Sequence, residues 1–195
     1  LVFKAPTGSG KTVMVSQLLA RLAAELPERD DAEGDEAAFI WIAPNKLHEQ
    51  SYFKMKNLFG ETQELRPIVY DDLDHSSSAS LQPGDILFVN WESINKDNAI
   101  MVRDSEQNTS LYEITRRTQE ERGIPIIAII DEEHLFAGRL ANKSQKVLQG
   151  INPKVEIRIS ATPVTTPPDE FVNIPREKVI AEQMIKEGVV LNPAL

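Results

Sequence analysis

The sequence predicts an α/β fold in which a mostly parallel sheet is sandwiched by helices. Three observations predict it. Short apolar runs of strand length alternate along the chain with stretches of helical periodicity. The runs at residues 38–43 and 124–130 are continuously apolar, as expected of strands buried on both faces. Polar clusters recur at the carboxyl ends of these runs, where open parallel sheets bind their ligands.

The chain opens on an apolar strand, Leu1-Val2-Phe3, which runs into the turn Ala5-Pro6-Thr7-Gly8-Ser9-Gly10-Lys11-Thr12. Val15, Leu18, Leu19, Leu22 and Leu26 then recur at helical spacing over residues 12–26, and Pro27 stops the helix. An acidic run at residues 28–36 reads as a solvated loop. Residues 38–43 make the next strand, Pro44-Asn45-Lys46 breaks it, and residues 47–58 read as a helix. Residues 67–70 are a weaker strand, followed by a serine-rich loop at 76–80. Residues 86–90 are a stronger strand ending in Trp91-Glu92-Ser93-Ile94. Residues 95–108 are polar and irregular, after which Ser110 and Glu113 make a capping box for a helix running to about Arg122. Residues 124–130 are the most apolar run in the chain. Pro125 sits near its start, where a missing amide is tolerated, and Asp131 stands at its carboxyl end. Residues 141–149 read as a short helix, and residues 155–159 as a strand ending in Ser160-Ala161-Thr162-Pro163. The remainder is proline-rich and aperiodic apart from a helix around 179–186.

Composition narrows the function classes. An apolar fraction of 41% is enough for a substantial core. With no cysteine there is no disulfide, no thiolate zinc site and no cysteine nucleophile. His48, His75 and His134 are scattered and make no metal cluster. No apolar run has the length of a membrane span and no signal peptide is visible, so a cytoplasmic location is expected. A net charge of −9 argues against a surface that coats nucleic acid generally. Much of that acid lies in the 28–36 run, which leaves room for a local basic groove elsewhere. The first residue is a leucine already inside a strand, so the chain reads as a fragment of a longer protein.

Residues 5–12 fit the phosphate-loop pattern G-x-x-x-x-G-K-[ST], with Ala5 in place of the first glycine. Gly8 and Gly10 can take positive φ and close their amides around phosphate oxygens. The following helix adds its unpaired amides and the positive end of its dipole. Lys11 then reaches the β- and γ-phosphates of a nucleotide, and the Thr12 hydroxyl ligates Mg²⁺. Asp131, at the end of the strongest strand, is placed to hold the same ion, and Glu132 to orient or deprotonate an attacking water. The plainer alternatives are a glycine turn with a chance Lys-Thr, and an acidic helix start at 131–133. For Ser160 and Thr162 the plain reading is a polar turn before Pro163, for His134 a side chain packed against a neighbouring loop, and for Trp91, at a strand end, a packing residue.

In order and spacing, residues 5–12, Asp131-Glu132-Glu133-His134 and Ser160-Ala161-Thr162 resemble motifs I, II and III of the superfamily 2 helicases, of DEAD/DEAH type. Alanine at the first position of motif I is common there. Asn90-Trp91-Glu92-Ser93-Ile94, Asp131 to Leu135, and the tail from Glu182 to Leu191 are similar to the Res subunit of type III restriction enzymes. The resemblance implies a RecA-like P-loop NTPase domain over residues 1–165, its start truncated, with 166–195 a linker or the start of the next segment. It implies ATP and Mg²⁺ as cofactors, bound by Ala5, Pro6, Thr7, Gly8, Ser9, Gly10, Lys11, Thr12 and Asp131, with Lys11, Asp131 and Glu132 catalytic. Pro44-Asn45-Lys46 corresponds to motif Ia, so Asn45 and Lys46 are implied to grip a nucleic-acid backbone, with Trp91 a base-stacking candidate. Ser160, Thr162 and His134 are implied to couple nucleotide state to strand movement. The expected function is the first motor domain of an ATP-dependent DNA helicase or translocase. Its expected partners are DNA, a second RecA-like domain and a methylation or specificity subunit, with no membrane, and the parent is a candidate endonuclease. An RNA helicase motor and a phosphate-loop switch that does not translocate are the alternatives. A catalytically silent binding module fits less well, since Lys11, Asp131 and Glu132 are all intact.

Overall fold

In the computed structural model of the chain, residues 1–26, 36–59, 65–73, 78–94, 109–136, 141–164 and 170–183 are described. Residues 28–35 of the acidic run, His75, the 95–108 segment and the tail beyond Gln183 lie outside these residues.

Among the described residues seven strands form one sheet, and every pairing in it is parallel. They are β1 (Val2–Lys4), β2 (Ala38–Ala43), β3 (Arg66–Val69), β4 (Asp85–Asn90), β5 (Ile126–Asp131), β6 (Val155–Ser160) and β7 (Phe171–Asn173), in the order β3-β4-β2-β5-β6-β1-β7. The helices are α1 (Lys11–Glu25), α2 (Leu47–Phe59), α3 (Trp91–Ile94), α4 (Leu111–Arg116), α5 (Ala141–Ile151) and α6 (Arg176–Ala181). From β1 to β2 to β3 the chain moves one way across the sheet, and from β3 through β4 and β5 to β6 it moves back. Right-handed crossovers therefore put α1 and α2 on one face, and α3, α4 and α5 on the other.

The two cores follow that division. On the first face Val15 and Leu19 of α1 and Met55 of α2 pack on Phe39, Trp41, Phe88, Ile129 and Ile157. On the second, Trp91, Ile94, Leu111, Ile114, Val147 and Ile151 pack on Ile40, Ile42, Leu87, Val89 and Ile130. β2 and β5 are buried along their whole length, which is why both read as unbroken apolar runs.

Several elements differ from the sequence reading. The helix expected to reach Arg122 is α-helical only to Arg116 and continues as a π turn over Arg117–Glu121. The wider turn holds buried Thr118 so that its hydroxyl donates to Ile114 O at 2.7 Å and accepts the Leu81 amide at 2.8 Å. The helix expected around 179–186 begins earlier and ends by Ala181. β7 is an added strand within the stretch read as aperiodic. It pairs with β1 and is tied to it by Val2 N to Glu170 O (2.8 Å) and Ile174 N to Lys4 O (2.9 Å). No described helix is long and apolar enough to cross a membrane.

Candidate functional site

The parallel register brings the carboxyl ends of β1, β5 and β6 side by side: Lys4 pairs with Ser160, and Asp131 with Ile159. The residues that follow each strand therefore share one rim. After β1, the chain turns through Gly8 (φ 81°) and Gly10 (φ 77°), backbone values that a side chain would strain. Ala5 is fully buried in the core, and its amide donates to Ser160 O at 3.3 Å. Its Cβ thus sits in packing, which explains why alanine serves there. Ser9 is also fully buried, and its Oγ makes no hydrogen bond with any described residue.

Helix α1 starts directly from this turn. No side chain caps its N-terminus and no acid stands in its first turn, so its leading amides and dipole are left for an anion. Lys11 is buried, and its Nζ lies 3.9 Å from Glu132 Oε1.

After β5, each residue of the acidic motif has its own partner. Asp131 is buried and its Oδ1 accepts the Glu132 amide at 3.0 Å. Burial, and secondly the Glu132 charge, push its carboxyl up from the ordinary 3.8 to about 6. Glu132 takes a left-handed backbone (φ 54°), the kind of strain that collects at functional sites. Its Oε2 lies 3.3 Å from His134 Nδ1, which is 3.0 Å from Ser160 Oγ. Ser160 Oγ in turn accepts the Thr162 amide at 3.1 Å. The geometry thus brings together Lys11, Glu132, His134, Ser160 and Thr162 in one chain of contacts. Glu133, which the sequence reading left without a role, is buried. It accepts the Val164 amide at 3.0 Å and faces Arg158 at 3.7 Å.

The residues present fit a nucleotide and its magnesium ion. The positive-φ glycines, the uncapped helix start and the buried Ser9 hydroxyl make an anion cradle. Thr12 and Asp131 would be the residues to hold the ion, two oxygen ligands being few enough for one that completes its shell with phosphate oxygens and water. Among the described residues no cluster of three or more acids or histidines forms a metal cage.

Further along the rim, Asn45 and Lys46 follow β2 and are exposed. Asn45 has φ 52°, and its backbone is fully engaged. Its N–H donates to Glu92 Oε2 at 2.9 Å, while its carbonyl accepts from His48 Nδ1 at 2.9 Å and from Asn90 Nδ2. Asn90 at the end of β4 and Glu92 in α3 thereby fix the loop that presents Asn45 and Lys46. Sequence reasoning did not find these supports. The contact between β2 and β4 that creates them lies 47 residues apart in the chain for Asn45 and Glu92. Trp91 lies in the core at 4% exposure, packed with Ile94 and Val89, so stacking on a base is not what its position offers.

A wholly parallel sheet with helices on both faces and a phosphate loop after its first strand defines a RecA-like P-loop domain, of the type that drives superfamily 2 helicases. The chain belongs to the family of the type III restriction enzyme, res subunit, which matches residues 1–165. It is thus a helicase-type ATPase motor domain. A search of curated proteins returned no match.

Proposed function

We propose that this chain is the first motor domain of an ATP-driven translocase on DNA, within the Res subunit of a restriction system. The observation that carries the reading is the continuous line of contacts from Lys11 through Glu132 and His134 to Ser160 and Thr162. It runs from the phosphate loop to the loop after β6, so a change at the nucleotide is felt at the rim. Residues 1–165 act as the first motor domain, with 166–195 leading into the following segment.

In this reading the loop from Ala5 to Thr12 cradles the phosphates with backbone amides, and Lys11 pairs with the outer phosphates. Thr12 and Asp131 hold Mg²⁺, which supplies charge neutralisation on the phosphates. Glu132 takes a proton from the attacking water, and His134 and Ser160 keep Glu132 oriented. Asn45 and Lys46, braced by Asn90, Glu92 and His48, contact the sugar-phosphate backbone, which carries no base information. A second RecA-like domain closes over the nucleotide, and a methylation or specificity subunit selects the site.

The test is ATP turnover by the full-length protein with double-stranded DNA, single-stranded DNA and RNA, alongside a Lys11→Ala variant. Losing a charge-assisted contact worth about 1.5–3 kcal/mol should weaken nucleotide affinity roughly 10- to 100-fold. DNA should stimulate turnover and RNA should not. Stimulation by RNA alone favours the RNA motor, and ATP turnover indifferent to both favours the switch. Unchanged affinity in Lys11→Ala overturns the phosphate-loop assignment.

A further inference from the structure

Trp41 belongs to the face of the sheet that carries the phosphate loop. It is the fourth residue of β2, fully buried, with its ring stacked on Phe88 at a centroid distance of 5.7 Å. The register sets Trp41 beside Ile129 of β5, and Asp131 comes two residues further along that strand. Side chains alternate along a strand, so Trp41, Ile129 and Asp131 share one face. Strand rise and spacing put the Trp41 and Asp131 backbones about 8 Å apart, a span that an indole covers.

The indole Nε1 makes no completed hydrogen bond with any described residue. The register and the alternation of side chains place the Asp131 carboxylate next to it on the same face of the sheet. A buried indole N–H normally has a partner, and leaving one unmade costs about 1–3 kcal/mol. A phenylalanine at 41 would stack on Phe88 without burying a polar atom, so packing alone does not explain the tryptophan. The buried N–H makes sense as a donor to the acid beside it.

We propose that Trp41 is a positioning residue for Asp131: its N–H donates to the Asp131 carboxylate and holds it in the orientation that takes a divalent cation at the phosphate loop. The proposal rests on the nucleotide-site reading above. Outer-shell donors of this kind are typically worth 10- to 100-fold in metal affinity.

The experiment measures the affinity of a fluorescent ADP with and without Mg²⁺. It uses the full-length protein and the variants Trp41→Phe, Asp131→Asn and the double variant, with folding checked by thermal unfolding. Trp41→Phe should lose about tenfold or more of the Mg²⁺-dependent gain in affinity while its metal-free affinity stays unchanged. In the Asp131→Asn background the same change should add nothing, because the two residues act as a unit. A Trp41→Phe protein with the parent's Mg²⁺ dependence overturns the proposal alone. So does an undiminished effect in the Asp131→Asn background. A parent that binds ADP with no Mg²⁺ dependence at all overturns the site reading as well. A second readout leaves Trp41 in place. In a full-length protein with every tryptophan except Trp41 changed to phenylalanine, adding Mg²⁺ to the ADP complex should shift the emission, and Asp131→Asn should abolish the shift. An emission that does not respond to Mg²⁺ also overturns the proposal.

Discussion

Lys11 and Glu132 face each other at 3.9 Å, a buried cation against an acid that is about a quarter exposed. Neutralising the acid should leave the cradle intact and remove the proton acceptor. Glu132→Gln is expected to bind ATP and Mg²⁺ close to the parent's affinity. Its turnover should fall by about 10² to 10⁴, the usual contribution of a positioned general base. Calorimetry paired with phosphate release separates the two effects, and turnover at the parent rate would remove Glu132 from its assigned role. Asp131 next to it allows a different test. Its carboxyl is held near 6 in the fold against an ordinary 3.8, so the fold favours the protonated form. The stability this contributes is fully present below about pH 4 and is lost as pH rises through about 6. That difference corresponds to about 3 kcal/mol. In the absence of nucleotide, Asp131→Asn should therefore match the parent in urea unfolding near pH 4 and exceed it by about 2–3 kcal/mol at pH 7. Equal stability at both pH values would mean that Asp131 is not desolvated as described.

At the scale of elements, α4 and α5 meet where a glycine allows it. A Cβ built on Gly150 would lie 2.5 Å from Tyr112 Cε1 and 2.8 Å from two further ring atoms. Alanine gains about 1 kcal/mol in helix propensity, whereas overpacking a formed contact costs about 1–3 kcal/mol. The clash should win: Gly150→Ala is expected to destabilise the chain by about 1 kcal/mol in urea unfolding, and Tyr112→Ala in the same chain should remove the clash. A stabilised Gly150→Ala would show that Tyr112 swings aside freely. The same glycine shows what local sequence conceals. It reads as a helix end, so the expected helix stops at Gln149. In the fold, α5 runs on to Ile151 and is closed by Asn152 at φ 51°. Nothing near Gly150 in sequence reveals that the ring it must clear comes from Tyr112. Likewise β7 has three residues and no periodicity, and its strand character comes entirely from pairing with β1. By contrast β2 and β5 were legible because burial on both faces writes itself into consecutive residues. The phosphate loop was legible because its backbone demands glycine at fixed places. The supports His48, Asn90, Glu92, Glu133 and Trp41 were not, since each acts through a neighbour supplied by another strand or loop.

On the scale of the whole molecule, the parallel sheet gathers Lys11, Asp131, Glu132, His134 and Ser160 at one rim, and the proposed reading leaves the opposite side of the nucleotide to a second domain. Phosphoryl transfer is accelerated mainly by positioning and by stabilising charge on the transferred group. Here the described wall offers Lys11, Thr12, Asp131 and Glu132, but its nearby arginine is already engaged. Arg158 of β6 places Nη2 2.7 Å and Nε 3.0 Å from Glu156 Oε2, with Nη1 3.7 Å from Glu133. An arginine aimed at the transferred phosphate is worth about 10³ to 10⁵ in rate. Thr7 and Gly8 are exposed, so water reaches the cradle and weakens each electrostatic contact made there. Residues 1–195 alone should therefore bind Mg²⁺ and ATP weakly and hydrolyse the nucleotide at a rate little changed by DNA. On the proposed two-domain reading, adding a second RecA-like domain should raise turnover by at least about 10³ and make it depend on DNA. The comparison is steady-state phosphate release from residues 1–195 and from the full-length protein, each with and without DNA. Vigorous DNA-stimulated hydrolysis by residues 1–195 alone would overturn the two-domain mechanism, because every group it needs would then have to lie within this one wall.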